Sequence, residues 1–108
     1  MVPDPPMNLY VDFTGSRVVV VSWTAGFDGN SDILNYTVEI SEDNLNFADA
    51  KCQGLSRSAC VVSNSSTSAS LEGLLPWTIY YIRVFATNKL GPSNKSSVVN
   101  KTTDEEGR

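Results

Sequence analysis

Two cysteines, Cys52 and Cys60, and a run of oxygen-bearing side chains, Asp28, Asn30, Asp32 and Glu39, are the residues whose types and spacing could do chemistry. The four oxygen donors match positions one, three, five and twelve of a calcium-binding EF-hand loop, which needs a glycine at its sharp turn. That turn position holds Ile33, and the residues around it alternate as strands do, so the run reads as a turn and no metal is expected. The cysteines have seven residues between them in a turn-rich stretch. A disulfide there closes a ring worth about 2.5 kcal/mol by loop entropy. Two unpaired thiols, one buried and one exposed, are the alternative, and would suit a reducing compartment. With no His in the chain, two thiols supply too few soft ligands for zinc.

Catalysis finds little footing. General base work near neutral pH falls most often to His, and the Ser and Asp residues lie in loops without a nucleophile elbow. A pair of carboxylates needs a cleft to hold it, and nothing in the sequence indicates one. We therefore expect no catalytic residues, no cofactor and no small-molecule substrate. Four asparagines, Asn35, Asn64, Asn94 and Asn100, begin Asn-x-Ser/Thr acceptor motifs for N-glycosylation. Asn64, Asn94 and Asn100 fall in polar segments, and Asn35 should point away from the core beside a buried Tyr36.

Charge and length narrow the partners. A net charge of -4, with eight scattered Lys and Arg, argues against nucleic acid and acidic membrane. No apolar run nears the roughly 20 residues of a spanning helix, and Met1-Val2-Pro3-Asp4 lacks the pattern of a secretion signal. The 108 residues, 41% of them hydrophobic, suit one domain with one core.

Apolar residues alternate in short segments between turn formers, which predicts an all-β chain. Leu9 to Val11 reads as the first strand. In Val18 to Trp23, the residues Val19, Val21 and Trp23 should face inward. Asp28-Gly29-Asn30 marks a turn before Ile33 to Ile40, where Tyr36, Val38 and Ile40 should be buried. Ser41 to Ser68 is less regular and holds both cysteines. Tyr80, Ile82, Val84 and Ala86 should face inward and Tyr81, Arg83, Phe85 and Thr87 outward, with Ser97 to Thr102 as the last strand. Seven strands without helical period suggest two antiparallel sheets packed face to face.

The residues Leu74, Pro76, Thr78 and Tyr80 stand two apart, at a corner where a Tyr hydroxyl can turn back to an upstream backbone group. With Trp23 and Asn88-Lys89-Leu90-Gly91, this chain resembles the fibronectin type III family. The likeness extends to Pro5-Pro6, Asn8-Leu9, Ser22-Trp23, Leu71-Glu72-Gly73-Leu74 and Arg83-Val84-Phe85-Ala86-Thr87-Asn88. It departs at Ala25-Gly26, where the family usually places proline, implying a looser loop, and in carrying the cysteine pair.

That resemblance implies a seven-stranded immunoglobulin-like sandwich over residues 7–103, with 1–6 and 104–108 as linkers. It implies a non-catalytic extracellular spacer and protein-contact module of a multidomain adhesion or signalling receptor on the cell surface, similar to neural adhesion molecules such as the sidekick group. Its partners would be neighbouring domains and a protein on another cell or in the matrix. An intracellular titin-type repeat, or an accessory domain of a receptor phosphatase or kinase, shares the fold. Candidate contact residues are Tyr81, Arg83 and Phe85 on one sheet face, Trp77 at the outgoing pole and Phe27 at the opposite pole, since aromatic and Arg side chains dominate binding hot spots. Cover from Asn35, Thr37 or Glu39 on the neighbouring strand is the competing reading of that face.

Overall fold

The computed structural model describes residues 1–50 and 60–106. Nine strand segments are present among them: β1 (Met7–Thr14), β2 (Val19–Thr24), β3 (Asn35–Ser41), β4 (Ala48–Asp49), β5 (Cys60–Ser63), β6 (Ser68–Leu71), β7 (Ile79–Asn88), β8 (Gly91–Pro92) and β9 (Val99–Thr102). One sheet has the order β1-β2-β6. The other runs β4-β3-β7-β8, with β5 also pairing β3 and β9 also pairing β7. All pairings are antiparallel. The result is a two-sheet sandwich, as expected for alternating segments each apolar on one side only.

The core lies between the sheets. Val19, Val21 and Trp23 enter it from β2, Tyr36 and Val38 from β3, and Tyr80, Ile82, Val84 and Ala86 from β7. Trp23 and Tyr36 meet across it with ring centroids 5.4 Å apart and planes tilted by 59°. Ile40 departs from its expected burial. It pairs with the small Ala48 and borders a surface depression beside Tyr80, so it packs on the core only partly covered.

Strand bounds differ where pairing extends past the apolar pattern. β1 continues to Thr14 through two register shifts, and β9 begins at Val99, ahead of which Ser93 and Ser96 bond β7 through both main chain and side chain. Ser96 Oγ accepts the Val84 N–H at 3.0 Å, and Ser93 Oγ accepts that of Ala86 at 2.9 Å. The stretch read as irregular contains β4 and β5, which continue along one edge of β3. Asp49 lies opposite Glu39 and Cys60 opposite Val38, the next residue back on β3.

Candidate protein-contact surface

The outgoing pole is built around Tyr80. Its hydroxyl accepts the Leu75 N–H at 2.9 Å, closing the corner that the spacing predicts. Thr103, fully buried, completes it: its Oγ1 donates to the Leu75 carbonyl at 2.6 Å and accepts the Thr78 N–H at 2.9 Å. Between these bonds, Leu75 and Trp77 stand exposed and Pro76 is half-buried. Trp77 is 69% exposed, so its ring does not fold over its own core, and Leu75 and Ile79 are exposed beside it in sequence. Trp77 also adopts a φ of 52°, a left-handed conformation that bulky side chains rarely take. Its N–H donates to the Asp104 carbonyl at 3.1 Å, while Asp104 donates to Gly15 and Arg17 pairs with Glu106.

At the opposite pole Asp28-Gly29-Asn30 forms the predicted turn. Asp28 Oδ1 accepts the Asn30 N–H at 2.9 Å, and Gly29 and Asn30 both have positive φ. The loop that lacks the family's proline is packed against the start of the chain. A Cβ on Gly26 would lie 2.6 Å from the Pro5 carbonyl oxygen, so its absence lets residues 1–6 lie against the loop. Asp4 N–H donates to the Phe27 carbonyl at 2.8 Å. The buried Asn88 ties the pole together, its Nδ2 donating to the Met1 and Asp28 carbonyls at 2.8 and 3.0 Å. Phe27 remains exposed at the rim of a shallow cavity of about 560 Å³ that also borders Tyr36 and Asn64.

The outward face of β3 and β7 is more self-occupied than its sequence suggests. Glu39 stands opposite Arg83 and accepts its Nε–H at 2.8 Å and a Lys95 Nζ hydrogen at 3.1 Å. The Arg83 guanidinium lies 3.9 Å from the centroid of Phe47, and Lys95 lies 4.0 Å from that of Phe85. Each cation is thus held by one carboxylate and one aromatic face. In the turn just before Phe47, Asp43 accepts the Asn46 and Leu45 N–H groups and the Ser41 hydroxyl, bonds that hold its carboxyl well below the usual range. Tyr81 lies between Ser41 and Asn100, and Phe85 lies opposite Thr37. Tyr81, Arg83 and Phe85 are all half-buried.

Burial raises the Glu39 pKa, but hydrogen bonds and charge from Arg83 and Lys95 together outweigh it and hold the group below its ordinary value of 4.5. A depressed carboxylate contributes stability that is fully present above its unfolded pKa and lost as pH falls through the folded one. Glu39→Gln should therefore cost about 1 kcal/mol at pH 7 and progressively less below pH 4.5. Urea unfolding of both proteins from pH 7 to pH 3 checks this, and a gap that stays constant would refute it.

Phe47 and Lys95 escaped the sequence reading because both lie outside the alternating segments. Asn88 was visible within a signature whose role the spacing did not reveal. Glu39, by contrast, is committed to Arg83 and Lys95 on β3, and does not join Asp28 in a calcium loop. Asn64, Asn94 and Asn100 are exposed and Asn35 is half-buried. Cys60 is fully buried on β5, while Cys52 lies outside the described residues.

A sequence profile described as the Fibronectin type III domain matches residues 4–102. The chain belongs to the fibronectin type III family. This fibronectin type III domain is similar to Contactin-1a of Danio rerio, 38% identical over 106 residues that make up 98% of this chain and 10% of the relative. Protein sidekick-1 of Gallus gallus is 37% identical over 103 residues, 88% of this chain and 4% of the relative. Cell adhesion molecule DSCAM of Homo sapiens is 32% identical over 103 residues, 95% and 5% respectively. The domain thus spans a tenth or less of these relatives. Among solved structures, domains A168-A170 of titin superpose with a TM-score of 0.82 at 29% identity, covering 96% of this chain and 33% of that one. The FN1-FN3 domains of chicken CNTN1 give 0.77 at 29% identity, covering 94% and 33%. Fibronectin type III domains of this sequence group therefore occur both in adhesion proteins and in titin.

Proposed function

We propose that this fibronectin type III domain is a non-catalytic extracellular spacer and protein-contact module of a multidomain cell-adhesion or signalling receptor. The observation that carries the reading is where the two end segments lie. Residues 1–6 meet the Asn88 end of β7, and Thr103 and Asp104 meet the Thr78 end. Ten residues of strand separate these points, about 30 Å, so a domain joined at both ends holds its neighbours apart by that distance. The likeness to Contactin-1a, sidekick-1 and DSCAM supports the adhesion setting.

Trp77 suits a junction with the following domain, and Phe27 suits a contact at the other pole. Tyr81, Arg83 and Phe85 are weaker candidates, because Glu39, Phe47 and Lys95 already occupy two of them. Trp77→Ser should leave the isolated domain within about 0.5 kcal/mol of wild type while loosening a longer fragment, seen as a wider distribution of end-to-end distances by small-angle scattering. An unchanged distribution would remove Trp77 from the junction. Serine at both Tyr81 and Phe85, with lower stability and unchanged partner binding, would make that face structural.

A Cys52–Cys60 disulfide belongs to the same reading. Cys60 faces Val38 from β5, and the Ala50 N–H donates to the Val38 carbonyl at 3.2 Å, so both flanks of residues 51–59 are already held beside one residue of β3. The test of location is membrane-impermeant biotinylation of the parent protein on intact cells: labelling supports the extracellular reading, and resistance to labelling overturns it. The titin structure favours a second reading, an intracellular structural repeat, which a parent that resists surface labelling would support.

A further inference from the structure

Four acceptor asparagines look alike in sequence but differ in what the fold leaves open. In Asn100-Lys101-Thr102, on β9, both the asparagine and the threonine are exposed on a strand that, among the described residues, pairs with β7 alone. In Asn64-Ser65-Ser66, Asn64 is exposed in the turn between β5 and β6 and Ser66 is partly exposed. The other two motifs are locked. In Asn94-Lys95-Ser96 the serine is buried; its hydroxyl accepts the Val84 N–H and donates to the Ser97 carbonyl at 2.9 Å. In Asn35-Tyr36-Thr37 the middle residue is a core tyrosine, and β3 is paired on both sides, to β5 and β7.

Resting on the extracellular reading, we infer that Asn64 and Asn100 are N-glycosylation sites of the folded domain, whereas Asn35 and Asn94 accept a glycan only before folding. In the transfer, the asparagine amide nitrogen attacks the anomeric carbon of an oligosaccharide carried on a lipid diphosphate. The N–C bond forms as the sugar–oxygen bond breaks, the lipid diphosphate leaves with the bonding pair, and the amide proton passes to a base of the transferase. The chain must offer the asparagine and the hydroxyl two residues on together. Asn64 and Asn100 do so in the native state, whereas Ser96 is buried with its hydroxyl engaged and Asn35-Tyr36-Thr37 lies on a strand paired on both sides. A glycan on Asn100 also lies on the strand directly beside Tyr81, which removes that ring from the set available to a large protein partner. It further shields an edge strand from pairing with another chain.

The experiment maps occupancy by peptide mass spectrometry on the chain secreted from animal cells, for wild type and for Tyr80→Phe, whose unfolded fraction rises about fivefold or more. Asn64 and Asn100 should be heavily occupied in both proteins, and Asn35 and Asn94 should be lower in wild type and rise in the variant. Equal occupancy at all four sites, an empty Asn100, or no response of Asn35 and Asn94 overturns the inference. If Tyr80→Phe is not secreted, unglycosylated domain purified from bacteria is presented to microsomal transferase, native and unfolded. The native form should be modified at Asn64 and Asn100 only, and modification of Asn94 in it overturns the assignment. Biotinylation of the parent on intact cells separates the two failures. A labelled parent with Asn100 empty sinks the glycan assignment alone, and an unlabelled parent sinks the extracellular reading.

Discussion

Trp23→Ala should destabilise the domain by about 3 to 5 kcal/mol, a large share of the 5–15 kcal/mol typical of a whole domain. The indole is almost fully buried and packs on Tyr36, which is itself buried enough that its phenol pKa is raised. Removing it leaves a void between the sheets that strands held by ladders on both sides cannot close. Trp23→Phe should cost much less than the alanine change. The Trp23 Nε1–H is buried with no hydrogen-bond partner among the described residues, so a phenyl ring removes an unpaired donor along with some volume. Thermal unfolding of the three proteins tests this, and equal losses from Ala and Phe would mean that the indole nitrogen, not packing, is what the site requires.

The second large effect belongs to Tyr80. Tyr80→Phe keeps the ring in the core but leaves the Leu75 N–H without its acceptor, at an expected cost of about 1 to 3 kcal/mol. The carbonyl of Leu75 stays paired to Thr103, so the corner should loosen rather than open. Thr103→Val in the Tyr80→Phe background would then remove the remaining tie, with a combined loss differing from the sum because the two side chains hold the same residue. An unchanged melting temperature for Tyr80→Phe would refute the assignment of the hydroxyl.

What could be read from the sequence was what repeats along a strand. The alternation of Val19, Val21 and Trp23, and of Tyr80, Ile82, Val84 and Ala86, assigned their faces because a period of two leaves no other choice when one side is buried. The tyrosine corner was legible for a different reason: its donor and acceptor lie five residues apart, within local reach. The contact surface was legible only in part. That Arg83 would look outward followed from alternation, and Glu39 was already a candidate to cover it, but the approach of Phe47 depends on how separate segments converge, which no local pattern encodes. Gly26 shows the same limit. Its departure from proline suggested slack, whereas the missing side chain makes room for a segment twenty residues earlier in the chain.

The placement of the end segments also decides how this domain would answer a pull. β1 runs from the first pole toward the second, and β9 ends at the second, so tension applied through the two ends acts along both edge ladders. Their hydrogen bonds run across that direction. The β1–β2 and β7–β9 rungs would then be sheared together instead of unzipped one at a time, after the Asp4–Phe27 and Trp77–Asp104 bonds at the poles had given way first.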